Sequence, residues 1–230
     1  MDESAVVIKS EERLRAAGEA KVHHPIFRLS KSFGKWFRKK RLTRFENAFP
    51  ATSYGELIDV GGTFDFWKDT CRNVTIVNPG VPVCSEGSVT SVGGNGTCLP
   101  FADKSFRLAF SNSVIEHMHD YGEMKQFASE LSRVGIELYC QTPNRRFFFD
   151  VHYLVFFLHW WPNLLRNYFV VRYLTGWGWW LKPDREMVKA WAGIVNLLSE
   201  REFRALFPDC TIQREKFLWM TKSFIAIRTG

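Results

Sequence analysis

Leu57-Ile58-Asp59-Val60-Gly61-Gly62-Thr63 sets an apolar run against an acid and a pair of glycines. A strand covered by helices on both faces is apolar nearly throughout. Glycine at its end permits a sharp turn and lets another group come close to the backbone. The segment predicts a buried parallel strand over 56–60, a tight turn, and a helix beginning near Thr63. A glycine pair after a strand is common, and it gains weight only from the segments downstream.

Four later segments continue the pattern in order. Residues 73–78 are rich in β-branched side chains and predict a second strand, and a short third strand lies near 88–92. Gly93 to Thr97 is a loop by composition. Residues 106–110 predict a fourth strand, 121–132 a helix, and 136–141 a fifth strand that Thr142-Pro143-Asn144 ends, because proline donates no ladder bond. Ser199 and Glu202 form a capping-box pattern that opens a helix to Phe207. Two strands close the chain, near 211–218 and 222–228.

Strands alternating with helices predict an α/β fold: a Rossmann-like three-layer sandwich with a mostly parallel seven-stranded sheet and an antiparallel last strand. Ligands of such sheets lie beyond the carboxyl ends of the strands. Asp59 to Thr63, Asn78, Asn95 to Thr97, Ser111 to Ser113 and Thr142 to Asn144 fall at those ends. Five polar strand-ends on one rim describe a site, where one or two would be ordinary loops.

A chain of 230 residues with 46% apolar side chains can build one sizeable core. The expected organisation is a single domain, 1–230, with an N-terminal helical region at 1–50 and a helical insertion at 145–198. In the N-terminal region, Phe33, Trp36, Phe37, Phe45 and Phe49 recur near helical spacing over 26–49, opposite a basic face from Lys31 to Arg44. Five scattered cysteines without a Cys-x-x-Cys pair argue against a disulfide framework and a zinc site. Together with a polar first twenty residues, they make a cytoplasmic location the expectation. Val151 to Leu165 is the most membrane-like stretch, yet it is shorter than the roughly 20 apolar residues that span a bilayer.

Taken together, the segments resemble those of class I S-adenosylmethionine-dependent methyltransferases, in the broad group acting largely on small molecules. Asp59-Val60-Gly61-Gly62-Thr63 is similar to that family's first motif. Asn95-Gly96-Thr97-Cys98-Leu99-Pro100-Phe101 resembles the segment framing the adenine. Asp103-Lys104-Ser105-Phe106, with Phe110 through His117, resembles the run through the fourth strand. The resemblance covers residues 56–143 and implies S-adenosyl-L-methionine as cofactor. It implies cofactor contacts from Asp59, Gly61, Gly62, Thr63, Asn78, Asn95, Gly96, Thr97, Ser111, Asn112 and Ser113. Thr63 and Asp65 stand where the family usually has glycine, and Asn78 and Asn95 where it usually has acids. Asparagine keeps an acceptor oxygen and adds donors, while losing the charge.

Methyl transfer asks mainly for alignment, and a base only where the acceptor must lose a proton. His117, just after the fourth strand, is the candidate base; His119, His152 and His159 are weaker ones. The stretch 145–180 holds 14 of the 36 aromatics. It reads as a cap over a small apolar or aromatic acceptor, as a small subdomain core, or as shallow membrane contact that collects a lipidic acceptor. An RNA-directed enzyme using the basic N-terminal helix and a non-catalytic cofactor-binding protein stay open as alternatives. A nicotinamide site is disfavoured, because Gly61 to Phe66 lacks the Gly-x-Gly-x-x-Gly spacing.

Overall fold

Leu57–Val60 forms β1, buried at all four positions, as a strand covered on both faces must be. The computed structural model describes residues 40–50, 56–147, 149–150, 155–156 and 195–230. The chain divides into two compact units, residues 1–44 with 148–192 and residues 45–147 with 193–230. The described part of the first unit includes a two-stranded antiparallel ribbon, β7 (Phe149–Asp150) with β8 (Val155–Phe156).

The second unit carries the sheet. Beside β1 its strands are β2 (Val74–Asn78), β3 (Cys84–Glu86), β4 (Val89–Gly93), β5 (Phe106–Asn112), β6 (Gly135–Pro143), β9 (Thr211–Phe217) and β10 (Met220–Arg228). The spatial order is β3-β4-β2-β1-β5-β6-β10-β9. β4, β2, β1, β5 and β6 run parallel, and β10 is antiparallel to both neighbours. The chain leaves β1 toward β2 and β4, then returns to β5 on the other side. That reversal is the topological switch point, where ligands of open α/β sheets bind.

Helices fill the two outer layers. On one face, α3 (Tyr121–Val134) and α4 (Glu200–Leu206) bury Phe127, Leu131 and Phe203 against Ile58, Val60, Ala109, Leu138 and Phe224. On the other face, Phe45 and Phe49, from helix α1 (residues 40–48) and the residue after it, meet Trp67 of the one-turn α2 (Phe64–Trp67) and Phe110 and Tyr139 of the sheet. The Phe110 and Tyr139 rings stack 5.1 Å apart, and Phe45 sits edge-on to both. Arg72 lies over the Phe45 ring and pairs with Glu46 at 2.5 Å.

Three local features differ from or extend the sequence reading. β6 continues through Pro143, which pairs with Ser223, instead of ending at Gln141; a proline on the last rung interrupts no ladder behind it. An eighth strand, β3, adds an antiparallel edge to β4. Its signal was the Gly87-Ser88 pair, with Gly87 at φ +60, which suits the first tip position of a two-residue hairpin. The helix expected over 26–49 is described only from residue 40, and Phe33, Trp36 and Phe37 lie outside the described residues. The Ser199 capping box forms: Ser199 N–H donates to Glu202 Oε2 at 2.7 Å, and Glu202 N–H donates to Ser199 Oγ at 3.4 Å.

Phe45 is fully buried and touches four aromatic rings of the core. Phe45→Ala is expected to lower stability by about 3–5 kcal/mol, read from the urea unfolding midpoint.

Candidate functional site

β1 ends where the backbone turns at Gly61, φ +88. A Cβ at Gly61 would overlap the side chain of Val114, and one at Gly62 would overlap the Asp59 carboxylate. Both glycines are therefore required by space, and Gly61 also by conformation. Asp59 is almost wholly buried, and its Oδ2 accepts a 2.6 Å bond from the Trp67 indole N–H. Burial pushes the Asp59 carboxyl up to about 7, and the indole bond offsets part of that rise. Asn78, at the end of β2, donates its side-chain amide to Gly62 O at 2.8 Å. The turn is thus held from the acid beneath it and from the neighbouring strand.

The loop after β4 is shaped by its own side chains. Asn95 Oδ1 accepts from Thr97 N–H and Thr97 Oγ1, both at 3.0 Å, a local turn that uses the acceptor inside the loop. Gly96 is buried, and a Cβ there would lie 2.6 Å from the Phe127 ring. Leu99 is buried in the core, and its N–H donates to Glu130 Oε2 at 2.6 Å. Arg133 donates to Leu99 O and Phe101 O, and pairs with Glu130 and Asp103. One α3 arginine thus fixes the whole Leu99-Pro100-Phe101 segment.

The residues after β5 separate by role. Ser111 is fully buried and donates to Val60 O at 3.0 Å, joining β5 to β1. Ser113 turns the chain at φ +59 and donates Oγ to Gln141 Oε1 at 2.8 Å. Asn112 is half-buried at the strand end, and Thr63 is exposed at the start of α2. His117 is exposed on a single 3-10 turn, Ile115–His117.

That turn is anchored by residues the sequence reading did not select. Glu116 is fully buried and accepts from Thr142 Oγ1 at 3.1 Å. Asn196 N–H donates to Glu116 O at 2.6 Å, and its side-chain amide donates to Met118 O and His119 O, both at 2.9 Å. Asn196 lies 77 residues from His119 in sequence, so no local spacing points to it. Trp67 did have a signal: it comes eight residues after Asp59, on the next element. Val114 has none short of the folded turn.

Asp59, Gly61, Gly62 and Thr63 thus lie at the end of β1, Asn78 at the end of β2, and Asn112, Ser113 and His117 at and after the end of β5, with Asn95, Gly96 and Thr97 in the loop after β4. His152, His159 and most of the aromatic insertion lie outside the described residues, as does most of the basic 31–44 segment. Among the described residues, no group of His, Cys, Asp or Glu is placed to hold a metal, and no helix is long and apolar enough to cross a membrane.

No family model matches the sequence, and no curated protein is significantly similar to it. Solved structures do resemble it. A proposed methyltransferase from an antibiotic biosynthesis pathway of Anabaena variabilis superimposes with a TM-score of 0.51 at 12% identity, over 77% of this chain and 64% of that one. A SAM-dependent methyltransferase from Methanosarcina mazei gives 0.48 at 17% identity, over 80% and 95%. The likeness to the Anabaena protein, together with the strand order, shows a Rossmann-like α/β fold.

The Asp59 carboxyl gives a pH test. Its folded value of about 7 lies above the ordinary 3.8, so the native state holds a proton that the unfolded chain releases. The associated stability is complete below about pH 4 and is lost as pH rises through about 7. Asp59→Asn keeps an acceptor for Trp67 without the charge. The urea midpoint of the wild type is expected to fall more between pH 5 and pH 8 than that of Asp59→Asn.

Proposed function

We propose that the protein transfers a methyl group from S-adenosyl-L-methionine to a small apolar or aromatic acceptor. The observation that carries this reading is the Gly61-Gly62 turn at the switch point, where added side-chain atoms would strike Val114 and Asp59. The turn closes β1 at the switch point, the place where ligands of open α/β sheets bind. The residues present fit the cofactor's chemistry. Asp59 is the acceptor beneath the turn and braces it through Trp67. Asn78 is already committed by its amide to Gly62 O, and its oxygen arm suits a ribose hydroxyl. Asn95 has its oxygen turned into its own loop, so its contribution to an adenine edge is its amide donor.

The cofactor, when bound, supplies an already activated methyl group. The chain's own task is to orient the acceptor and exclude water. His117, exposed on its anchored turn after β5, takes a proton from acceptors that carry one. The unclustered cysteines fit a cytoplasmic site of action.

Calorimetric titration of the purified chain tests the reading, with NAD as control. Micromolar binding of S-adenosylmethionine and S-adenosylhomocysteine is expected, with none for NAD. Gly62→Ala is expected to weaken S-adenosylhomocysteine at least about tenfold, a change of roughly 1.4 kcal/mol. A folded protein that binds neither compound would overturn the assignment.

A further inference from the structure

We propose that Asp59 is a neutral acid in the free protein and surrenders its proton when a cationic ligand docks on the turn above it, so that the ligand becomes the counter-ion the fold withholds. Asp59 is almost wholly buried. Its register partners, which share its face of the sheet, are Ile76 on β2 and Phe110 on β5, both apolar and buried. Over it lies Trp67, whose indole N–H bonds Oδ2 at 2.6 Å, and Phe45 packs against that indole. The turn touches the acid directly, since a Cβ on Gly62 would lie 2.1 Å from Oδ2. The carboxyl is thus walled by apolar groups and stands against the main chain of the switch point.

Among the described residues, no charge on the packed elements pairs with the acid. On α2, Asp65 and Lys68 pair with each other at the surface, 3.0 Å apart. On α1, Glu46 pairs with Arg72, which also donates to Phe49 O. After β5, Glu116 accepts from Thr142, and His117 is exposed. Asn78, at the end of β2, is uncharged and gives its amide to Gly62 O. The indole of Trp67 donates a hydrogen bond and brings no positive charge. A buried carboxyl in such surroundings keeps its proton. The rise of Asp59 to about 7 agrees with that geometry.

On the methyl-transfer reading, on which this inference rests, the ligand brings the missing charge, because S-adenosylmethionine carries a sulfonium and an ammonium. As the ligand covers the turn, the Asp59 O–H bond breaks and its proton passes to solvent. The carboxylate left behind is stabilised by the ligand's charge in a site of low dielectric. The free site holds the proton below about pH 7, and the loaded site does not. Binding therefore releases a proton below that pH, tightens as pH rises toward 7, and levels off above it. A neutral ligand of similar outline drives no such exchange.

Calorimetry of the full chain at pH 6, repeated in buffers of different ionisation enthalpy, counts the protons released. The two ligands are S-adenosylmethionine and 5′-methylthioadenosine, a thioether of the same nucleoside that lacks both positive groups. The expected result is about one proton released with the first and none with the second, and an affinity for S-adenosylmethionine that falls about tenfold from pH 6 to pH 5. Asp59→Asn is expected to release no proton. Trp67→Phe removes the bond that lowers the acid's value, so the pH midpoint of binding moves upward, a test that holds even where Asp59→Asn does not bind. Binding of S-adenosylmethionine without proton release, equal release with the thioether, or release that persists in Asp59→Asn overturns the inference and leaves methyl transfer standing. A folded chain that binds S-adenosylmethionine at no pH removes both.

Discussion

The bond between Trp67 and Asp59 is the constraint from which the rim is built. A carboxylate at the end of a buried strand meets a strong desolvation penalty, and only a directed donor makes it tolerable. The indole N–H supplies that donor, and the indole ring joins the cluster of Phe45, Phe66 and Phe110. One side chain thus closes the polar site and the aromatic core together. The acid fixed in this way leaves no room for a Cβ at Gly62, and that exclusion shapes the turn above it.

The other rim loops depend on side chains that hold backbone from a distance. Arg133 grips two carbonyls of the Leu99–Phe101 segment from a helix more than 30 residues away. Asn196 grips the turn that carries His117 through three hydrogen bonds, as the chain re-enters the sheet unit. Such side-chain bonds substitute for the ladder partners that irregular backbone lacks, which is how loops keep a defined shape. The same device, Asn144 bound to the β10 backbone, ties the end of β6 to β10.

Much of the fold was legible in the chain because its signals are local. The apolar strand runs, the Ser199 capping box and the glycine turn depend on neighbours within a few residues, and each has a counterpart in the structure. The division of labour within the site was not legible. Ser111 stands among the polar strand-end residues, yet its hydroxyl is spent on Val60 O inside the sheet. Asn95 sits at the expected loop with its acceptor turned inward. A residue type states what hydrogen bonds are available; only the surrounding fold states which are already taken.

The sequence by itself determined the order of strands and helices, the position of the switch point, and the acid and glycines placed there. These are properties of periodicity and backbone freedom, which act over a few residues. The tertiary structure alone decided that Trp67 closes over Asp59, that Ile76 and Phe110 flank that acid on the sheet, and that Val114 and Asn196 frame the turn after β5. Those relations join residues far apart in the chain. They arise only when the sheet's register brings distant strand ends to one edge.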